Sequence, residues 1–187
     1  LSALELRQKL RLTDIEGNNT FRLVHGEGDN LPGLIVDIYG STAVVQAHSA
    51  GMHYARNSIA EAIVNIMQGR VKAIYYKSGT TLPFADEMNA TEGFLLGKSS
   101  DNIALEYGIK FHIDWINGQK TGFFVDQREN RKLVEQYANG RKVLNMFCYT
   151  GGFSAYAIRG GAELVHSVDS SSKAVDLTRE NISLNFP

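Results

Sequence analysis

The stretch that decides the fold lies near the carboxyl end and reads Val143-Leu144-Asn145-Met146-Phe147-Cys148-Tyr149-Thr150-Gly151-Gly152-Phe153-Ser154. Its first five residues predict a short apolar strand, and its glycine pair predicts a turn into a helix that ends near Arg159. A second strand over 164–168 and a second helix over 171–184 follow. Alternation of this kind is typical of a parallel sheet flanked by helices. We therefore expect an α/β unit over residues 117–187.

The residues before this unit have a different, strand-rich pattern. We expect the following elements: a helix over 1–12, strands over 21–24, 34–39, 42–47 and 71–77, a helix over 54–68, and short antiparallel strands over 94–96, 103–107 and 109–113. The strands 34–39 and 42–47 are separated by Gly40-Ser41 and should form a hairpin. The sequence therefore predicts a small α+β domain over residues 1–116.

The composition is that of an ordinary globular protein, with 43% apolar and 21% charged residues among 187. The formal net charge of −1 gives no electrostatic indication of a nucleic-acid partner. Cys148 is the one cysteine, which excludes an internal disulfide and favours a reducing, cytoplasmic environment. The chain contains no run of about 18 apolar residues and no signal-peptide core, so we expect no membrane association.

The glycine turn and Asp169 together suggest a nucleoside site. A glycine turn after the first strand lets a ligand approach the backbone, and a carboxylate that ends the next strand can accept hydrogen bonds from ribose hydroxyls. The turn lacks the glycine fingerprint of dinucleotide-binding enzymes, which disfavours a nicotinamide-dependent oxidoreductase, and it lacks the P-loop pattern. S-adenosylmethionine, which has no phosphate, fits better. Gly151-Gly152 serving only as a tight strand-to-helix turn is the alternative, and the loop alone leaves it open.

A second informative stretch runs from Asn117 to Arg131 and reads NGQKTGFFVDQRENR. Phe123 or Phe124 is suited to stacking on an adenine, and Arg128 to a bidentate contact with a carboxylate. Asp126 and Glu129 have the spacing of a capping box that opens a helix to about residue 138. The alternative is that the phenylalanines belong to the core and the arginines to a solvated helix face.

Three motifs in the same order resemble the bacterial large-subunit rRNA 5-methylcytosine methyltransferase family. They are EGDNLPGLIVD at 27–37, the 118–131 stretch, and 144–154 followed by Ser167-Val168-Asp169. The resemblance spans roughly the whole chain. It implies a parent protein with an RNA-binding PUA module, a central α+β domain and a Rossmann-like class I methyltransferase domain, of which this chain holds the central domain and the first part of the third.

The resemblance also implies a set of cofactor-binding residues. They are Lys120, Thr121, Phe124, Asp126 and Arg128 in the second motif, Asn145, Phe147, Tyr149, Gly151 and Ser154 in the third, and Asp169, which would bind the ribose. Asn145 stands where many class I methyltransferases have a carboxylate. A neutral amide there weakens the attraction for the ammonium group of S-adenosylmethionine.

The nucleophile needed for methyl transfer is expected beyond Pro187, the last residue of this sequence. In the family that this chain resembles, a cysteine thiolate adds to C6 of cytosine, and an Asp-Pro-Pro-type motif precedes that cysteine. None of the three prolines follows an aspartate, and Cys148, inside the cofactor turn, is interpreted as a packing residue. We therefore expect no catalytic residue here and no activity of this chain alone. A non-catalytic RNA-binding or scaffolding piece is the alternative.

Expectations about partners follow from the same interpretation. The rRNA would be bound through the parent protein. The histidines lack zinc-ligand spacing, so no metal site is expected. The first strand of such a sheet normally lies at its centre, so an uncovered edge of that strand predicts either a homo-oligomer that covers it or an abnormally packed last helix.

Overall fold

The computed structural model describes residues 1–83, 88, 90–98 and 102–187. Its helices and strands are, in chain order, α1 (Ser2–Lys9), β1 (Thr20–His25), β2 (Leu34–Tyr39), β3 (Thr42–Ala47), α2 (Ala50–Tyr54), α3 (Arg56–Met67), β4 (Ala73–Tyr76), β5 (Gly93–Leu96), β6 (Ile103–Glu106), β7 (Ile109–His112), α4 (Arg128–Tyr137), β8 (Lys142–Met146), α5 (Gly152–Arg159), β9 (Leu164–Val168) and α6 (Ser172–Asn185). The mixed α/β class predicted from the sequence is confirmed.

Strands β1 to β5 form one sheet in the order β1-β2-β3-β4-β5, which we call the large sheet. The predicted β2–β3 hairpin is confirmed, with Leu34 opposite Ala47 and Tyr39 opposite Thr42. Gly40 makes its turn with a φ of +57°, a conformation that glycine adopts without steric cost. Strands β3 and β4 are parallel, and α2 and α3 form the crossover that a parallel pair requires.

Consecutive side chains of each strand point to opposite faces of the large sheet, and both faces are buried. On one face, Val36, Val45 and Ile74 pack against Ile63 and Met67 of α3. On the other face the sheet shares a core with the later part of the chain, and its members include Tyr39, Val44, Tyr75, Phe111, Phe123 and Tyr156. Burial on both faces explains why β2 and β3 are apolar almost throughout.

Two helix predictions need correction. The helix predicted over 54–68 is present as α3, but the short helix α2 before it was not predicted. Helix α2 begins where the Ser49 hydroxyl caps it by accepting a hydrogen bond from the Met52 N–H (3.4 Å). The predicted capping box at 126–129 is wrong, since no side chain caps α4. Asp126 instead accepts a hydrogen bond from the Gln127 side chain, and Glu129 accepts from Arg128.

The β6–β7 hairpin connects the large sheet to the helices that follow. Glu106 accepts two hydrogen bonds from the Arg131 guanidinium of α4 (2.7 and 2.6 Å), and both side chains are at most 3% exposed. The Tyr156 hydroxyl of α5 donates a third to the same carboxylate (3.0 Å). From α6, the Asn181 side chain accepts a hydrogen bond from the His112 N–H (2.7 Å). The hairpin is therefore held by three helices.

Strands β8 and β9 pair in parallel from Lys142 opposite Leu164 to Met146 opposite Val168, as predicted. We call this pair the small sheet. Helix α5 packs against one of its faces. On the other face Leu144 is 62% exposed and Val168 43%. Across the described residues, no helix is long and apolar enough to cross a membrane.

Candidate functional site

The turn after β8 has an unusual backbone conformation. Phe147, Tyr149 and Gly151 all have positive φ values, of 57°, 47° and 73°. Left-handed backbone is uncommon for residues other than glycine and often marks a functional segment. At Gly151 a Cβ atom would lie 2.7 Å from Cγ2 of Thr178, so a larger residue does not fit. The glycine is required where α6 packs against the turn.

Asp169 ties this turn to the end of β9. Its Oδ2 accepts a hydrogen bond from the Tyr149 N–H (3.0 Å), and its Oδ1 accepts one from the Ser171 N–H (3.0 Å). These hydrogen bonds, that from Ser171 first, lower the pKa of the Asp169 carboxyl below its ordinary value. A carboxylate can accept about four hydrogen bonds, so acceptor capacity remains for a ligand. Asp169 is thus an ionised, partly exposed acceptor beside the turn.

A cavity of about 310 Å³ opens beside the turn, and we call it the Phe124 pocket. Its lining includes Lys120, Phe124, Asp126, Phe147, Tyr149 and Gly152. The Lys120 ammonium lies 4.4 Å from the centre of the Phe124 ring, and that ring meets Tyr149 edge-on at 5.4 Å. Arg131, which is ion-paired with Glu106, also lines the pocket. The pocket thus combines the Lys120 ammonium, the Asp126 carboxylate, aromatic surfaces and the amino terminus of α5, where backbone N–H groups favour an anion.

A larger cavity of about 600 Å³, the Asp169 pocket, shares Tyr149 with the first. Its lining includes His112, Asp114, Gln119, Tyr149, Asp169 and Lys173. The Tyr149 hydroxyl accepts a hydrogen bond from the Gln119 N–H (2.9 Å) and donates one to the Gly122 carbonyl (3.1 Å). Burial raises the pKa of Tyr149 to about 12, so the phenol keeps its proton. Tyr149 therefore holds the 119–122 segment between the two cavities.

Several predicted site residues lie behind the pockets instead of in them. Thr121 is fully buried, and its hydroxyl contacts Asp37 and Tyr39 of the large sheet. Asn145 is buried under the turn and donates a hydrogen bond to the Ser154 hydroxyl (2.8 Å). Ser154 is 1% exposed. These positions support the turn and the 118–124 segment from beneath, and their direct contact with a ligand stays a prediction.

Arg128 faces a third cavity, of about 450 Å³, together with Arg22 and His25. Its Nε donates to Glu129 (2.9 Å). Of the two phenylalanines considered for stacking, Phe123 is 1% exposed and packs at 5.0 Å from Phe111, so it belongs to the core. Phe124 is the one that lines a pocket.

Sequence reasoning missed the residues that the large sheet contributes. Asp37 stands in an otherwise apolar strand and is completely buried, a combination that demands a buried partner. Its partners, Arg22 and Thr121, are visible only in the folded chain. Among the described residues, no three His, Cys, Asp or Glu side chains are grouped so that they could hold a metal ion.

Comparison with known sequences adds a family match. A family model described as S-adenosylmethionine-dependent methyltransferase matches residues 88–186. A ribosomal RNA large subunit methyltransferase I from Erwinia tasmaniensis is 38% identical over 186 residues, which cover 98% of this chain and 46% of that protein. Its counterpart in an Escherichia coli strain is 37% identical over 186 residues, with 97% and 46% coverage. The chain thus spans less than half the length of these relatives.

Solved structures agree in fold. A protein assigned as a SAM-dependent methyltransferase from Streptococcus mutans superposes with a TM-score of 0.83 at 25% identity, over 98% of this chain and 46% of that one. A methyltransferase solved in complex with SAH gives a TM-score of 0.83 at 26% identity, with the same coverage. A tRNA m1G37 methyltransferase from M. jannaschii, at 19% identity and a TM-score of 0.63, covers 98% and 49% and shares the fold alone.

Proposed function

The chain belongs to the S-adenosylmethionine-dependent methyltransferase family, whose cofactor is S-adenosylmethionine, and from this premise we propose that the Phe124 and Asp169 pockets bind that cofactor. We propose further that the parent protein methylates cytosine C5 of large-subunit rRNA. The rRNA methyltransferase relatives at 37–38% identity support the RNA substrate. The motif resemblance supports the choice of cytosine. We also propose that the chain has two domains. Residues 1–116 form the central domain, and residues 117–187 form the part that contains the turn after β8.

The chemistry of the pockets fits the parts of the cofactor. Asp169 would accept hydrogen bonds from the ribose hydroxyls with the acceptor positions that its backbone contacts leave free. Lys120 and the amino terminus of α5 would attract the methionine carboxylate. Phe124 and Phe147 offer apolar surface beside them, and Phe147 is 85% exposed. Arg128, in the third cavity, is the weakest of the predicted contacts.

The observation that carries this proposal is the placement of Asp169. One carboxylate both fixes the glycine turn, through the Tyr149 N–H, and borders the larger cavity. A residue that served only the turn would not need to face open space. A substitution that removes the carboxylate of Asp169 is therefore the most direct test of cofactor binding.

Calorimetry with S-adenosylhomocysteine, the demethylated product, tests the proposal. Asp169→Ala should weaken binding at least tenfold, because hydrogen bonds to a charged group contribute about 1.5–3 kcal/mol each. Glu163→Gln is the matched control, since Glu163 is exposed and precedes β9 at its opposite end. Equal affinity of Asp169→Ala and the wild type would refute the ribose contact. No heat with the wild type would favour the non-catalytic RNA-binding alternative.

We also propose that this chain alone does not methylate cytosine and that the nucleophile lies beyond Pro187 in the parent protein. The reaction at C5 needs a thiolate that adds to C6. Cys148 is the one cysteine of the chain, is 5% exposed, and has its sulfur 3.4 Å from the Thr178 hydroxyl under the turn. That position suits packing more than nucleophilic attack. Methyl transfer to an rRNA fragment by the purified chain of 187 residues would contradict this proposal.

A further inference from the structure

The 118–123 segment, which carries Lys120 into the Phe124 pocket, is attached to the large sheet by polar side chains. The Lys77 ammonium, just after β4, donates a hydrogen bond to the Gly118 carbonyl. The Gln46 side-chain amide of β3 donates one to the Lys120 carbonyl (3.2 Å). Thr121, one residue further on, contacts β2. Strands β2 and β3 and the residue that follows β4 therefore contact consecutive parts of one short segment.

The contact at Thr121 is completely buried and has a defined direction. Asp37 is 0% exposed, Thr121 0% and Tyr39 2%. The Thr121 hydroxyl donates its one proton to Oδ2 of Asp37 (2.6 Å), since an ion-paired carboxylate only accepts. The Tyr39 hydroxyl, 2.8 Å away, must then donate to the Thr121 oxygen. Burial raises the pKa of Tyr39, which keeps that donor proton in place.

Arg22 completes this arrangement from the neighbouring strand. Its Nε and Nη2 donate to the two oxygens of Asp37 at 2.8 and 2.9 Å. A buried carboxylate is costly unless it is paired and hydrogen-bonded, and here both conditions are met. The chain Tyr39–Thr121–Asp37–Arg22 is thus a satisfied buried network, and such networks hold one conformation in preference to others.

Lys120 shows what this network fixes. It has a φ of +49°, a left-handed conformation that is unfavourable for a residue with a side chain and persists only where the surroundings hold it. The backbone on both sides is restrained, by Gln46 at the Lys120 carbonyl and by Tyr149 at Gln119 and Gly122. In this conformation the Lys120 ammonium reaches the face of Phe124 inside the pocket. An extended backbone at residue 120 would direct the side chain elsewhere.

We propose that Asp37, Tyr39 and Gln46 are positioning residues for the cofactor pocket, which act by holding Thr121 and the Lys120 carbonyl so that the Lys120 ammonium faces the cofactor carboxylate. This inference rests on the proposed function for its ligand, but not for the anchoring itself. It assigns the large sheet a second role, the positioning of pocket residues, in addition to forming a hydrophobic core. One face packs on α3, and the opposite face sets the wall of a pocket more than 80 residues later in the chain.

A matched pair of tyrosines on the two faces of the large sheet tests the proposal. Tyr39→Phe removes the hydroxyl that contacts Thr121, and Tyr76→Phe removes one that contacts His53 at the same distance, 2.8 Å, on the α3 face. Without ligand, hydrogen exchange of peptides that cover 118–124 should accelerate at least fivefold in Tyr39→Phe and stay unchanged in Tyr76→Phe. S-adenosylhomocysteine affinity, measured by calorimetry, should fall at least fivefold in Tyr39→Phe only.

Substitutions at Thr121 give an independent second test. Thr121→Val keeps the shape of the side chain and removes the hydroxyl, whereas Thr121→Ser keeps the hydroxyl. The valine variant should behave like Tyr39→Phe, and the serine variant should bind within threefold of the wild type. If Thr121→Val does not fold, Tyr39→Phe and Gln46→Ala remain as milder changes.

The outcomes separate the two proposals. Unchanged exchange in Tyr39→Phe, or equal acceleration in Tyr39→Phe and Tyr76→Phe, overturns the anchoring. Accelerated exchange with unchanged affinity overturns the link to the cofactor. A wild-type chain that binds no S-adenosylhomocysteine overturns the proposed function, and the exchange experiment still decides whether the network anchors the segment.

Discussion

The two sheets of this chain differ in how their faces are used. The large sheet is buried on both sides, since Val36 and Ile74 on one face and Val44 on the other are completely inaccessible. The small sheet is covered on one side by α5 and leaves Leu144 and Val168 exposed on the other. Residues that line the two pockets proposed for the cofactor lie at the carboxyl ends of the small sheet, where Phe147 and Asp169 follow its strands. The better-packed sheet therefore supports the site, and the less-covered sheet presents it.

The covered sides of the two sheets also differ chemically. The large sheet packs aliphatic side chains against α3. Beneath the small sheet, Asn145, Ser154 and Ser167 form a chain of hydrogen bonds at 2.8 and 2.7 Å. Apolar contacts are non-directional, whereas a hydrogen-bonded network fixes orientation. We infer that the large sheet supplies most of the stability and that the polar layer sets the geometry of the turn.

The largest expected effect is on the large sheet. Ile74→Ala should lower the free energy of unfolding by about 2–5 kcal/mol, because it removes a completely buried side chain and leaves a cavity. Leu144→Ala, at a position 62% exposed on the small sheet, should lower it by less than about 1 kcal/mol. Urea titration followed by circular dichroism measures both. Comparable losses in the two variants would mean that the sheets do not differ in this way.

An intermediate effect is expected under the turn. Asn145→Ala removes the donor to Ser154 from a position that is 9% exposed, and should cost about 1–3 kcal/mol. Lys142→Ala, on the same strand but 70% exposed in its side chain, is the control and should cost less than about 0.5 kcal/mol. Differential scanning calorimetry compares their melting temperatures. An Asn145→Ala variant as stable as its control would show that the polar layer contributes orientation without stability.

Elements with clear periodicity were predictable from the sequence. The β2–β3 hairpin and the parallel β8–β9 pair are confirmed, because their apolar runs and glycine turns are local signals. Local signals also misled. The spacing of Asp126 and Glu129 is that of a capping box, but nearby Gln127 and Arg128 compete for both carboxylates. Which carboxylate finds which partner depends on side-chain packing, and no spacing rule describes that.

The candidate site was predictable in part for a similar reason. Lys120, Phe124 and Tyr149, which were predicted from two separate motifs, line one cavity, and their contact with a ligand stays a prediction. The burial of Thr121 was not predictable, since its partner Asp37 lies 84 residues away in the chain. The direction of Arg128 into another cavity depends equally on packing between distant segments. Contacts of this range depend on the assembled fold.

The smallest expected effect concerns association between copies of this chain. The sequence predicts that a second copy covers the free edge of β8, which among the described residues pairs with β9 alone. The exposed face of β8 beside that edge gives a way to test this prediction. Leu144 and Met146, on the same face of β8, are 62% and 50% exposed, and Phe147, which follows the strand, is 85% exposed. An interface formed by so few apolar side chains should be weak, since stable interfaces usually bury more than about 1,000 Å². Sedimentation velocity should show a mass that rises with concentration and becomes constant in Leu144→Lys. Tyr54→Lys, which changes a side chain 71% exposed on α2, should leave the association intact. A constant monomer mass for the wild type would instead mean that two copies do not meet through this face. The contrast between the sheets would then be one of exposure alone.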